Sequence, residues 1–231
     1  MWLCFISSSP SQRNDSSLFK MMPLSTVSQN TYAITPASQV GNRVSNSNSP
    51  TITHQDYRNM SDTIALSNWA VDHKLFPIAA MIVAPNGKMV AASTNTELDP
   101  ASPFYRTPIG HAEISTIYKA CKTLGTRSLD GYRMVTSCEP CPMCLGAMQY
   151  AGIKDFIYAN STNDTYNFKQ YGFNDKEYYQ QAALPVEQRK MPGFQLLRNQ
   201  AYSVLQKWQK LLESQGVFSF NAPNSSSSNV T

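Results

Sequence analysis

The chain contains a stretch rich in cysteine and proline, "TSCEPCPMCLGAM", which spans residues 136–148. Three cysteines and two prolines lie between Cys138 and Cys144, so the stretch does not have the composition of a plain turn. It fits a redox pair, half of a structural zinc site or part of a catalytic metal site. Because each alternative needs different partners from elsewhere in the chain, this stretch constrains the fold strongly.

The spacing of Cys141 and Cys144 favours metal binding. Residues three apart lie on nearly the same face of a helix, so both sulfurs can reach one ion. Pro142 is favourable at an early helical position, because its missing N–H has no intrahelical partner there. The helix N-terminus carries a partial positive charge, which lowers the pKa of a thiol and favours the thiolate.

A second motif, "GHAEI", supplies the other groups that a catalytic metal site needs. His111 opens one predicted helix and the cysteines open another, and each helix follows a loop at the end of a strand. In an α/β sheet such strand ends share one edge. One imidazole and two thiolates make three zinc ligands, which leaves a fourth position for water. Glu113 can then move a proton between that water and a substrate nitrogen.

Two other interpretations of the cysteines stay open at this point. A redox pair would not need the histidine and glutamate of the upstream motif. A structural zinc site needs a fourth protein ligand, which Cys138 could supply. The other expectation for Cys138 is that it ends a strand as a small buried hydrophobic residue.

The hydrophobic pattern predicts an α/β fold in which helices cover a sheet. The turn signal "PNGK" at residues 85–88 joins the first two predicted strands into an antiparallel hairpin. Predicted helices cover residues 51–74, 111–125, 141–152 and 200–214, and predicted strands cover residues 76–85, 88–95, 132–137, 154–160 and 193–199.

Composition sets the expected boundaries and surroundings of this unit. Residues 1–51 and 216–231 are rich in serine, asparagine and threonine and are predicted to be disordered, which leaves 52–215 as the folded domain. The odd number of cysteines indicates a reduced, cytoplasmic compartment. No apolar run reaches the roughly 18 residues of a membrane span. The net charge of +4 forms no basic stripe, so nucleic acid is not an expected partner.

The arrangement H-x-E…P-C-x-x-C resembles the signature of the cytidine-deaminase-like zinc deaminases, and the resemblance extends over about residues 54–200. The stretch "TSCEPCPMCLGAM", with "YGFNDKEYY" and "LPVEQRKMP" downstream, is most similar to the bacterial guanine deaminases of that superfamily. The resemblance implies a three-layer α/β/α deaminase fold with a five-stranded mixed sheet. It also implies a homodimer, in which the subunits can exchange their C-terminal segments.

The resemblance further implies the roles of particular residues. One zinc ion per subunit would be bound by His111, Cys141 and Cys144, and Glu113 would be the proton shuttle. The side chain of Asn95 would contact the base, and the backbone N–H of Ala112 would hold a substrate carbonyl. Asp175 would stand at a position that selects guanine. From the residues alone, Asn95 could instead cap a strand, and Asp175 could be a loop or helix-cap residue.

The implied activity is hydrolytic deamination of a small nucleobase or related amino-heterocycle, with guanine converted to xanthine and ammonia released. The alternatives are deamination of tRNA adenosine, or of a nucleoside or nucleotide. An alternative of another class is a zinc-stabilised binding protein without catalysis, against which Glu113 speaks. The tRNA deaminases usually read Glu-Pro-Cys-Val-Met-Cys at the cysteine motif and lack the Ser-Cys that precedes Glu139 here.

The chain departs from the guanine deaminase pattern in two places. Residues 77–80 read Pro-Ile-Ala-Ala where Pro-Phe-Gly-Ala is usual, so an aromatic pocket residue is expected to be missing. The loop at residues 96–110 is longer than usual, and Phe104, Tyr105 and Arg106 on it could close over the site. Six aromatic residues at positions 166–179 are expected to lie mainly in the core or a subunit interface, with one or two at the base pocket.

Overall fold

A computed structural model describes residues 52–216 of the 231-residue chain. The predicted low-complexity segment 1–51 and nearly all of the predicted C-terminal tail therefore lie outside the described residues. The helices and strands predicted within 52–160 are all present, with small changes at their ends. In chain order the elements are α1 His54–Asp72, β1 Ala79–Val83, β2 Met89–Thr94, α2 Ala112–Leu124, β3 Arg133–Cys138, α3 Pro142–Ala151, β4 Asp155–Asn160, α4 Thr162–Tyr166, α5 Asp175–Ala182 and α6 Arg198–Ser214.

The strands form one mixed sheet in the order β2-β1-β3-β4. Strand β1 runs antiparallel to both β2 and β3, as the predicted hairpin requires, and β3 runs parallel to β4. Ala79 and Ala80, at the start of β1, lie opposite Thr94 and Thr136 near the ends of β2 and β3. The carboxyl ends of β2, β3 and β4 therefore meet at one edge of the sheet.

The prediction of a fifth strand at residues 193–199 is wrong for the described chain, whose sheet has four strands. Phe194 and Leu196 are 88% and 82% exposed, and their segment pairs with no strand of this sheet. Leu197 adopts a left-handed backbone conformation, with φ of 51°, and stands at the start of α6. That conformation is incompatible with an extended strand through this residue.

Helices cover both faces of the sheet. Met60 and Leu66 of α1 pack against one face, beside Met81 and Val135. Helices α2 and α3 pack against the other face, where the cluster of buried residues includes Ile82, Met134, Ala120 and Met148. The structure thus has the three layers that were predicted, with the sheet between them.

A charged network ties α1 to the sheet. Arg133 at the start of β3 donates to Asp56 of α1 at 3.0 Å and to both carboxylate oxygens of Asp155 on β4 at 2.9 Å. Asp56 also forms a capping box with Thr53, which satisfies backbone N–H groups at the start of α1. The network fixes the helix that supports the face of the sheet away from α2 and α3.

None of the helices within residues 52–216 combines the length and the apolar character that crossing a membrane requires.

Candidate metal centre and substrate cavity

The three predicted metal ligands converge where two helices begin. His111 stands immediately before α2 and Cys141 immediately before α3, and neither side chain caps its own helix. The Nδ1 atom of His111 lies 3.6 Å from the Sγ atoms of both Cys141 and Cys144. All three ligand atoms lie within 4.8 Å of one another. This set of one nitrogen and two sulfurs suits Zn²⁺.

The charges of the cluster also fit a bound cation. A hydrogen bond from Cys144 lowers the pKa of Cys141 to about 4, which outweighs burial, and His111 adds to the effect. The hydrogen bond to Cys141, together with burial, raises the pKa of Cys144 well above the ordinary thiol value. Burial opposes the charge on His111, but the hydrogen bond and charge of Cys141 raise its pKa to about 9. A positive ion between the two adjacent sulfurs would favour the thiolate form of both.

Cys138 lies outside this cluster, so the structure does not provide it as a fourth ligand. Its side chain is buried, and its sulfur accepts a long hydrogen bond of 3.8 Å from the amide of Asn160. Burial is the main cause that raises the pKa of its thiol to about 11. A neutral, buried thiol at a strand end agrees with the predicted packing role.

Glu113 lies in the first turn of α2 and is only 3% exposed. Its Oε1 atom accepts a hydrogen bond of 2.9 Å from the hydroxyl of Thr136, and its Oε2 atom accepts one of 3.4 Å from the thiol of Cys144. Burial raises the pKa of the Glu113 carboxyl above its ordinary value, although hydrogen bonds partly oppose this. A buried carboxyl group beside the metal ligands is placed to exchange a proton with a bound reactant.

A cavity of about 420 Å³ opens beside the metal centre. Asn95 and Ala112 line it from the end of β2 and the start of α2, and Asp175 lines it from the first turn of α5. Burial is the main cause that raises the pKa of Asp175, and the negative charge of Cys141 adds to it. Of the predicted site residues, all but the fully buried Cys144 line this cavity. Their roles toward a substrate remain predictions.

The aromatic walls of the cavity agree with one expectation and differ from another. Ile78 lines the cavity at the position where the usual aromatic residue is missing, and Phe76 lines the cavity nearby. Of the six aromatics at 166–179, three line the cavity: Tyr171, Phe173 and Tyr178. None of the six is buried within the described chain, so the expectation of a core position does not hold there, and the alternative of a subunit interface stays a prediction.

The long loop 96–110 contributes residues that the sequence analysis did not single out. Phe104 packs edge to face against Tyr118 of α2, and Arg106 lies over the ring of Tyr105. None of these three loop residues lines the cavity. Glu97 and Pro108 line it instead. The signal that could have identified Glu97 is a carboxylate two residues after the candidate base contact Asn95.

Similarity to known proteins agrees with this geometry. Residues 53–160 match the family model described as the cytidine and deoxycytidylate deaminase zinc-binding region. The chain is also 37% identical to the guanine deaminase of Bacillus subtilis (strain 168) over 132 residues, which are 57% of this chain and 79% of that protein. The chain belongs to the zinc-binding cytidine and deoxycytidylate deaminase family. As a deaminase of this family, it is a zinc hydrolase that acts on C–N bonds.

Two further comparisons show how far the similarity extends. The X-ray structure of guanine deaminase from Bacillus subtilis superposes with a TM-score of 0.59 at 32% identity, covering 69% of this chain and 95% of that chain. The tRNA-specific adenosine deaminase of the same organism is 34% identical over 105 residues, which are 45% of this chain and 61% of that protein. The match to the guanine deaminase thus extends over more of the chain.

Proposed function

We propose that the protein hydrolyses guanine to xanthine and ammonia. The observation that carries this proposal is the lining of the cavity beside the metal centre. Four acidic residues line it, Glu97, Glu113, Glu139 and Asp175, and no lysine or arginine is among the described residues that line it. A neutral base that presents several N–H donors suits such a lining, whereas a phosphate group would be repelled.

Aromatic and apolar walls complete the fit to a flat heterocycle. Phe76, Ile78, Phe173 and Tyr178 line the cavity together with Pro108. A planar base gains favourable contacts against aromatic faces. Phe76 and Phe173 therefore supply aromatic surface although residue 78 is isoleucine.

The reaction exchanges water for ammonia at the ring carbon that carries the amino group. His111, Cys141 and Cys144 would hold the zinc ion, which supplies a Lewis acid that activates water at neutral pH. Glu113 takes a proton from the attacking water and passes it to a ring nitrogen. It then moves a second proton to the departing amine, so that ammonia leaves as the carbonyl forms.

The other groups would position the base. The side chain of His111 does not cap the start of α2, and the backbone N–H of Ala112 would hold the substrate carbonyl. Asp175 would accept hydrogen bonds from N–H groups of guanine. Asn95 would contact another edge of the base from the end of β2.

Deamination of tRNA adenosine is the alternative within the same family, and the similarity to the bacterial tRNA deaminase supports it. The acidic lining argues against it, because a polynucleotide brings phosphates close to the reacting base. A binding protein without catalysis would have no use for Glu113, which lies buried beside the metal ligands.

We further propose that the protein is a homodimer in the cytoplasm. None of the residues of α6 is buried, although the helix carries apolar side chains along its length. Tyr202, Val204 and Leu205 are 49%, 64% and 58% exposed, and Phe194 and Leu196 just before the helix are more exposed still. A second copy of the chain would cover this surface. The cytoplasm would keep the metal-binding thiols reduced.

The substrate is tested by measuring ammonia release from the zinc-loaded protein with guanine, guanosine, adenine, cytosine, their nucleotides and tRNA. We expect guanine to be the preferred member of this set. Preference for tRNA or for a nucleotide would overturn the substrate assignment. No release from any member would overturn the deamination of small bases altogether.

The homodimer is tested by sedimentation of the purified protein. We expect a dimer that Leu205→Glu converts to monomer, because the new charge would be buried in the interface. The neighbouring substitution Gln206→Glu adds the same charge at an exposed polar position and should leave the dimer intact. A monomeric wild-type protein would contradict the proposal.

A further inference from the structure

We infer that Glu97 is a positioning residue that orients the metal ligand His111 and the base contact Asn95 through one carboxylate oxygen. The inference rests on the proposed zinc site and substrate cavity. Oε1 of Glu97 lies 3.5 Å from Nε2 of His111 and accepts a hydrogen bond of 3.4 Å from Nδ2 of Asn95. Glu97 thus joins His111, which belongs to the metal centre, to Asn95, which lines the substrate cavity.

The histidine contact lies on the correct side of the ring for this role. Nδ1 of His111 faces the two cysteine sulfurs, so Nε2 points away from the metal position and toward Glu97. A histidine that binds a metal through one nitrogen commonly donates the other ring N–H to a carboxylate, which fixes the tautomer and the orientation of the ring. Glu97 is placed to accept this N–H.

The asparagine contact fixes which end of the amide faces the cavity. The backbone N–H of Glu97 donates to Oδ1 of Asn95 at 3.0 Å, while Oε1 of Glu97 accepts from Nδ2. A flipped amide would place a donor against the backbone N–H and an oxygen against the carboxylate, and both contacts would be repulsive. Asn95 is therefore held with the second N–H of Nδ2 free to meet an acceptor on the base.

The long loop holds Glu97 in place through its backbone. Thr96 donates its backbone N–H to the carbonyl of Gly110 at 2.7 Å, and Arg106 donates to the carbonyl of Glu97 at 2.9 Å. Gly110 directly precedes His111 and allows the close approach of the two segments. A Cβ atom at Gly110 would lie 2.9 Å from the backbone nitrogen of Glu97 and 3.0 Å from its Cγ atom. The loop thus builds a fixed support for one carboxylate.

Zinc affinity, measured by chelator competition without substrate, tests the inference independently of the reaction. Glu97→Met keeps the length of the side chain and removes the acceptor, and we expect it to weaken zinc binding about 10- to 100-fold. Glu97→Gln keeps an acceptor oxygen and should retain most of the affinity. With guanine, Glu97→Met should also raise KM, because Asn95 loses its orientation.

Two further variants separate positioning from general effects. Asp99→Asn removes one negative charge from the same loop without touching the site, and it should leave zinc affinity unchanged. Gly110→Ala displaces Glu97 without altering its side chain, and it should weaken zinc binding as Glu97→Met does. Circular dichroism of each zinc-free variant separates a loss of folding from a loss of metal affinity.

The inference is overturned if Glu97→Met binds zinc as tightly as the wild-type protein. It is also overturned if Asp99→Asn weakens binding as much as Glu97→Met, since charge alone would then explain the effect. Unchanged zinc affinity in Glu97→Met would contradict the positioning role of Glu97 even if guanine is the substrate. Absence of guanine turnover with weakened zinc binding would count against the proposed function alone.

Discussion

Asp175 offers a specific test of how the cavity selects its substrate. The side chain lies in the first turn of α5, half-buried, and lines the cavity beside the metal centre. Replacing it in Asp175→Asn keeps the size of the side chain but removes the negative charge. It also places an amide donor where the proposed guanine presents N–H donors.

The size of the effect follows from the hydrogen bonds that the carboxylate would accept. A hydrogen bond to a charged group contributes about 1.5–3 kcal/mol. A loss in this range lowers kcat/KM for guanine about 10- to 100-fold. The metal centre does not include Asp175, so zinc content should not change.

Glu177→Gln is the matched control for this substitution. Glu177 lies in the same first turn of α5, so both variants lose the same favourable interaction with the helix dipole. The carboxylate of Glu177 pairs with Lys190 at the surface and does not line the cavity. Any effect on folding or on the helix should therefore appear in both variants.

The assay is the rate of ammonia release from guanine at several concentrations, with zinc content measured on the same samples. We expect Asp175→Asn to lose kcat/KM and Glu177→Gln to keep it. Equal activity of both variants would refute the reasoning, because the carboxylate at the cavity would then contribute nothing to substrate binding.

Three further predictions concern stability and metal binding. Arg133→Met should lower the free energy of unfolding by about 2–4 kcal/mol, because Asp56 loses its charged partner. Lys154→Met removes an exposed ion pair with Asp130 and should leave the free energy of unfolding in denaturant unchanged. Burial raises the pKa of Asp56, but hydrogen bonds from Thr53 and Arg133 lower it below the ordinary value of 3.8. The stability that ionised Asp56 contributes should therefore be fully present above pH 3.8 and be lost as the pH falls through its lower folded-state pKa. When the free energy of unfolding is measured against pH, Asp56→Asn should lose less stability in acid than the wild-type protein. Metal analysis should find full zinc occupancy in Cys138→Ala and none in Cys144→Ala; zinc loss in Cys138→Ala would contradict a site with three protein ligands.

The parts of the fold that are set by local pattern could be predicted from the sequence. The apolar runs and turn signals located β1 to β4, and the spacing of Cys141 and Cys144 placed both sulfurs on one helix face. The shared sheet edge followed from the alternation of strands and helices. These features depend on residues close together in sequence, or on a rule that holds for most α/β sheets.

The errors concern features that depend on partners distant in sequence. The alternating residues of 193–199 have the pattern of a strand, but a strand forms only where another strand pairs with it. The exposed aromatics Tyr166 and Phe168 show a similar limit, because an apolar pattern does not distinguish the core of the chain from an interface with another subunit. Glu97 was not predicted as a site residue, although it lies two residues after Asn95, because its contact with His111 depends on the path of a long loop that returns to Gly110.

The role of Glu113 is tested most directly by measuring zinc content and guanine deamination on one preparation of Glu113→Gln. Zinc should remain fully bound, because His111, Cys141 and Cys144 are unchanged. Turnover should fall by at least about 10²- to 10⁴-fold, as expected when a general acid and base is removed. Loss of zinc would show that Glu113 is structural, and full turnover with zinc bound would contradict its role as the proton shuttle.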